Sequence, residues 1–155
     1  MSGDTDGKSR LRLWLRLLTC SGLVERAVRR RLRQEFAATL PRFDLMSALD
    51  RTPAGLTMGE LSERLKVSNG NVTGVVERLV REGLVERTAL PTDRRSYKVA
   101  LTAAGRTAFA AMAARHAGWI DSLLGDLSDG EIEQLMGLLG RLRRAVETNS
   151  LEVPS

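Results

Sequence analysis

Residues Pro91 to Thr102 read "PTDRRSYKVALT". From Ser96 onward, Tyr97, Val99 and Leu101 alternate with polar or small neighbours, the two-residue period of a strand with one buried face. The preceding run, "LVERTAL" from Leu84 to Leu90, reads as a second strand. The "PTDRR" between them is then the loop of a two-stranded β-hairpin, with Asp93, Arg94 and Arg95 at its tip. Polarity alone would solvate such a loop. Two adjacent guanidiniums beside one carboxylate point to something anionic.

Working upstream, the hairpin is preceded by a sharply punctuated helical segment. Thr57-Met58-Gly59-Glu60 is a T-x-x-E capping box that opens a short helix carrying Leu61 and Leu65. "KVSNG" is a turn, and Ser68 can cap the helix after it. That helix, Asn69 to Glu82, carries Val72, Val75, Val76, Leu79 and Val80 on one stripe, and Gly83 supplies its stop. Helix, turn, helix and hairpin in this order make a winged helix-turn-helix. In such a fold the hairpin tip is the wing. Arg94 and Arg95 are placed to enter a minor groove, whose negative potential attracts guanidinium, with Asp93 orienting one of them.

The flanks are helical. Leu11, Trp14, Leu15, Leu18, Val24, Val28 and Leu32 recur at three- and four-residue steps from Ser9 to about Glu35, with Arg26, Arg29, Arg30 and Arg33 on the other side. Residues Met1 to Lys8 are small and polar, and are expected to fray. "TLPRFDLMSALDR" is a shorter helix with Pro41 in its first turn, where a missing N–H costs nothing, and "TPAGL" breaks it. Thr102 caps an Ala-rich helix to about Leu124. Ser128-Asp129-Gly130-Glu131 is a second capping box, opening a helix on which Ile132, Leu135, Met136, Leu139, Leu142 and Val146 stay in register. The class is mainly α, with residues 9–40 and 102–148 as dimerisation helices and 41–101 as the winged-helix DNA-binding part of one domain. The apolar stripes of the flanking helices exceed what a small core can cover, so a homodimer is expected.

Composition agrees with this class. The 155 residues carry 24 Lys plus Arg against 19 Asp plus Glu, a net charge of +5 that favours polyanionic partners. Arg12 and Arg16 interrupt the apolar run near the N-terminus, so it is not the h-region of a signal peptide. No stretch of 18 apolar residues suggests a membrane span. Cys20 is alone, which excludes an internal disulfide and fits a cytoplasmic protein. With one His and one Cys, neither a His/Cys metal cluster nor a Ser-His-Asp set can be assembled, so no cofactor, metal or enzymatic activity is expected.

The block from Gly55 to Arg106 resembles the MarR (multiple antibiotic resistance regulator) family. The D-x-R wing of Asp93 to Arg95, the "LT-x-x-G" of Leu101 to Gly105 and the "EGLV" of Glu82 to Val85 carry the resemblance. It implies a homodimeric transcriptional regulator, most often a repressor, released by a small ligand or an oxidant. The fourth helix would lie in a major groove and the wing in the flanking minor groove of a pseudo-palindromic operator in double-stranded DNA. The "LPRFDLMSALDR…GLTMGEL…VSNGNVTGVVERL" run is most similar to the subgroup governing aromatic-acid catabolism, whose inducers are aromatic acids or their coenzyme A thioesters.

These readings give two sets of candidate residues. For DNA they are Ser68, Asn69, Asn71, Thr73 and Arg78, with Asp93, Arg94 and Arg95 of the wing, the resemblance favouring Arg95 as the inserted residue and Asp93 as its brace. Gly70 and Gly74 on the outward face suit a close approach to DNA, since each otherwise costs a helix interior about 1 kcal/mol. For the inducer they are Trp14, Arg42, Phe43, Met46, Met112, His116 and Trp119, where rings suit an apolar slot and Arg42 an anionic group. The arginine-rich back of the first helix is either a solvated face or a phosphate partner for coenzyme A. Cys20 reads as a buried, inert side chain, with a redox-sensing repressor as the rival reading. A non-specific architectural DNA-binding protein is the other rival.

Overall fold

A computed structural model describes residues 3–65 and 69–151 of the chain. The elements run α1 (Gly3–Phe36), α2 (Leu40–Asp50), β1 (Leu56–Thr57), α3 (Met58–Leu65), α4 (Asn69–Arg81), β2 (Val85–Leu90), β3 (Asp93–Leu101), α5 (Ala103–Leu123) and α6 (Asp129–Leu151). The chain falls into two compact units, Met1–Trp119 and Ile120–Ser155.

In the first unit the helix ends are set by local chemistry. Thr39 caps α2 by accepting the Arg42 N–H at 3.3 Å. The Thr57 capping box closes in both directions: Glu60 N–H donates to Thr57 Oγ1 at 3.2 Å, and Thr57 N–H donates to the Glu60 carboxylate at 3.0 Å. At the end of α4, Gly83 takes a φ of 74°, Gly83 N–H donates to Val80 and Leu84 N–H donates to Leu79. This is a Schellman motif, and glycine suits its left-handed residue. α1 starts earlier than expected, because residues 3–8 continue the helix rather than fray. No proline precedes Pro41 to stop propagation.

The sheet also departs from expectation. It has three strands in the order β1-β3-β2, because Leu56 and Thr57 pair antiparallel with Val99 and Lys98. β3 begins at Asp93, so the expected loop shrinks to Pro91 and Thr92. The register runs regularly from Val85↔Leu101 to Ala89↔Tyr97, then jumps to Leu90↔Asp93. Arg94, Arg95 and Ser96 are therefore extra residues bulging from the ladder. The core between α2, α3, α4 and the sheet is built on Leu45, Met46, Leu49, Leu61, Val72, Val76, Leu79, Val85, Val99 and Leu101, all buried.

The second unit holds the end of α5 and all of α6. Its capping box is formed as read, with Glu131 N–H to Ser128 Oγ at 3.2 Å and Ser128 N–H to the Glu131 carboxylate at 2.9 Å. None of the residues of α6 is buried. Among the described residues no helix is long and apolar enough to cross a membrane.

Candidate nucleic-acid interface and adjoining cleft

α4 turns Val72, Val76 and Leu79 into the core, which leaves Asn71, Gly74, Glu77, Arg78 and Arg81 exposed on the opposite side. A Cβ at Gly74 would meet nothing within 4 Å, so this face is open. Thr73 is half-buried at its edge. Ser68 lies outside the described residues, as do the side chains of Asn69 and Arg94.

At the wing, Asp93 holds the bulge by its backbone. Its Oδ1 accepts the Arg95 backbone N–H at 2.9 Å and its Oδ2 accepts the Ser96 hydroxyl at 3.1 Å. The contact expected to a guanidinium is, for Arg95, a contact to its peptide N–H. A short acidic side chain commonly bonds the N–H two residues on, fixing a turn. The Arg95 side chain is left exposed. Arg87 stacks over the Tyr97 ring at 5.1 Å and stiffens the hairpin below the bulge.

Beside α4 opens a cleft of about 610 Å³. Arg29 and Arg33 of α1, the connection Ala37–Pro41, Arg42, and Asn71, Gly74, Val75, Arg78 and Glu82 line it. Arg42 forms an ion pair with Glu82 across it, and Arg29 pairs with Glu25 at 2.6 Å. Ala37 in its wall has a φ of 50°, a left-handed conformation that is strained for a residue with a Cβ. The cleft therefore brings Asn71 and Arg78, expected at DNA, together with Arg42, expected at an inducer. Nothing local in the sequence pairs Arg42 with Glu82.

The other residues expected at an inducer form a packed cluster. Phe43, Met46, Met112 and Trp119 are buried. Phe43 lies 4.7 Å from the His116 ring, stacked, and 5.5 Å from Phe109, while Trp119 tilts against Phe36 at 6.3 Å. Trp14 stands elsewhere, 54% exposed on α1. At 1.5 Å per residue it is roughly 33 Å along the helix from Phe36. Glu35 receives Arg115 in a two-point contact at 2.7 and 3.0 Å, which holds its carboxyl below the ordinary range. The buried Trp119 indole N–H also lowers it, although its geometry falls short of a hydrogen bond. Cys20, expected to be buried, is exposed. A long helix with an uncovered apolar side does not bury what its spacing suggests.

The frame matches known regulators. The model of the MarR family matches residues 39–96. The chain is 29% identical over 140 residues to the transcriptional activatory protein BadR of Rhodopseudomonas palustris, covering 86% of this chain and 79% of that one. It is 29% identical over 98 residues to the transcriptional repressor YetL of Bacillus subtilis, covering 63% of this chain and 59% of that one. A crystal structure of a MarR family transcriptional regulator from Silicibacter pomeroyi superposes with a TM-score of 0.77 at 36% identity, over 94% of this chain and 99% of that one. The chain therefore belongs to the MarR family of winged helix-turn-helix, DNA-binding transcriptional regulators, which are not enzymes.

Proposed function

We propose that this regulator is a cytoplasmic homodimer that represses its target genes and is released by a small anionic ligand, an aromatic acid or its coenzyme A thioester. α4 enters a major groove through Asn69, Asn71, Thr73 and Arg78, Ser68 belongs to the same DNA-facing set, and Arg94 and Arg95 of the wing reach the adjoining minor groove. The observations that carry the reading are the exposed face of α4 and a bulge that presents Arg95 on a backbone braced by Asp93. The cleft supports release by ligand. An acid drawn to Arg42 competes with Glu82 and occupies the flank of the very helix that reads DNA, so it favours the DNA-free state.

A duplex enriched by the protein from a random pool provides the test. Arg95→Ala should weaken binding by about 1–3 kcal/mol while leaving the melting temperature in place. Unchanged affinity of the Arg94→Ala/Arg95→Ala double variant removes the wing from the mechanism. Benzoic and hydroxycinnamic acids and their thioesters are then titrated against the complex, with a coupling of about 1–3 kcal/mol expected. Release by peroxide alone, abolished in Cys20→Ser, replaces the ligand by a redox signal. A reporter gene fixes the sign, since relatives named as activator and as repressor both match.

A further inference from the structure

Two backbone carbonyls just beyond the end of α4 both accept from a single residue, Thr102, which lies between β3 and α5. Thr102 Oγ1 donates its proton to the Gly83 carbonyl at 2.7 Å, and Thr102 N–H donates to the Leu84 carbonyl at 3.0 Å. The same hydroxyl accepts the Gly105 N–H at 3.0 Å, which makes Thr102 the N-cap of α5. Its carbonyl accepts the Arg106 N–H at 2.9 Å, the first turn of that helix. One hydroxyl thus joins the C-terminal cap of α4 to the N-terminal cap of α5, using its donor and an acceptor lone pair at once.

The backbones press together at the same point. A Cβ built on Gly105 would lie 2.0 Å from the Leu84 carbonyl oxygen and 3.2 Å from Leu101 Cδ2. Beside it, buried Val85 and Leu101 pair as the first rung of the hairpin. Gly83, which separates the last turn of α4 from this joint, is held by the two hydrogen bonds of the Schellman motif.

We propose that Thr102 is a positioning residue for DNA recognition: its hydroxyl fixes the direction of α4 relative to α5, so that a displacement of α5 reaches the recognition helix without slack. The inference rests on α4 being the DNA-reading helix. Thr102 touches no DNA itself in this arrangement; it acts through Gly83.

The test compares Thr102→Val, which keeps the shape and removes the hydroxyl, with Thr102→Ser, which keeps the hydroxyl. Each is titrated by fluorescence anisotropy with the duplex enriched by the wild-type protein, over a range of salt. Thr102→Val is expected to bind about tenfold more weakly, with Thr102→Ser restored to the wild-type affinity. The slope of log affinity against log salt should stay unchanged in both, because no phosphate contact is lost. Thr102→Ala takes the place of Thr102→Val should the latter not fold by circular dichroism. Wild-type affinity in a folded variant without the hydroxyl overturns the proposal, as does a reduced salt slope, which marks a direct contact. If the wild type enriches no duplex at all, the DNA-reading assignment of α4 fails and the proposal falls with it, an outcome distinct from the other two.

Discussion

Asp44 shows how a single side chain can set pH dependence here. It sits on α2, and its carboxyl is raised above the ordinary 3.8, first by partial desolvation and then by the carboxylate of Glu25, against the opposing His116 and Arg29. The folded chain then holds that proton more readily than the unfolded chain does. The group therefore subtracts stability as pH rises above the ordinary value, and subtracts nothing well below it. Asp44→Asn is expected to melt higher than the parent near neutral pH, with the difference vanishing below pH 3.8. Thermal melts of both proteins across that range check it. A variant that melts lower at neutral pH shows that Asp44 is held by its cationic neighbours instead.

At the scale of elements, the base of the hairpin and α5 meet where the chain has no room for a side chain. Gly105 lies in the first turn of α5 directly over the Leu84 carbonyl, a backbone atom that cannot swing aside. Gly105→Ala should cost about 1–3 kcal/mol by forcing α5 away from the start of β2. Denaturant unfolding measures that cost, and a variant as stable as the parent shows that the helix shifts freely there. Gly74→Ala is the internal control, since a Cβ there meets nothing within 4 Å.

For the whole molecule, the decisive feature is uncovered apolar surface. Leu11, Leu13, Trp14, Leu15, Leu18 and Leu23 of α1 are exposed, as are Leu135, Met136, Leu138, Leu139 and Val146 of α6. Most helical stability in proteins comes from packing an apolar face, and the 23-residue α6 buries none of its residues, so a partner for these faces is expected. Sedimentation is expected to give a dimer at micromolar concentration, and a charge introduced by Leu18→Glu to give monomers with much weaker DNA binding. A well-folded wild-type monomer of full DNA affinity would sink the dimer reading.

What the sequence by itself determined is local. Both capping boxes, the Thr102 cap, the Gly83 stop and the inward stripe of α4 depend on residues within one or two turns, so spacing alone revealed them. The alternation in β3 was equally legible, and with the helical flanks it was enough for the winged-helix class. The tertiary structure decided what depends on distant partners. β1 is two residues long and exists because Val99 and Lys98 offer it a ladder, which no periodicity could announce. The start of β3 was missed because its bulge breaks the period that marks a strand. The cleft arises where the end of α1, the start of α2 and the flank of α4 converge, with Arg42 and Glu82 far apart in sequence. The gathering of Phe43 and Met46 of α2 with Met112, His116 and Trp119 of α5 likewise depends on partners far apart in sequence.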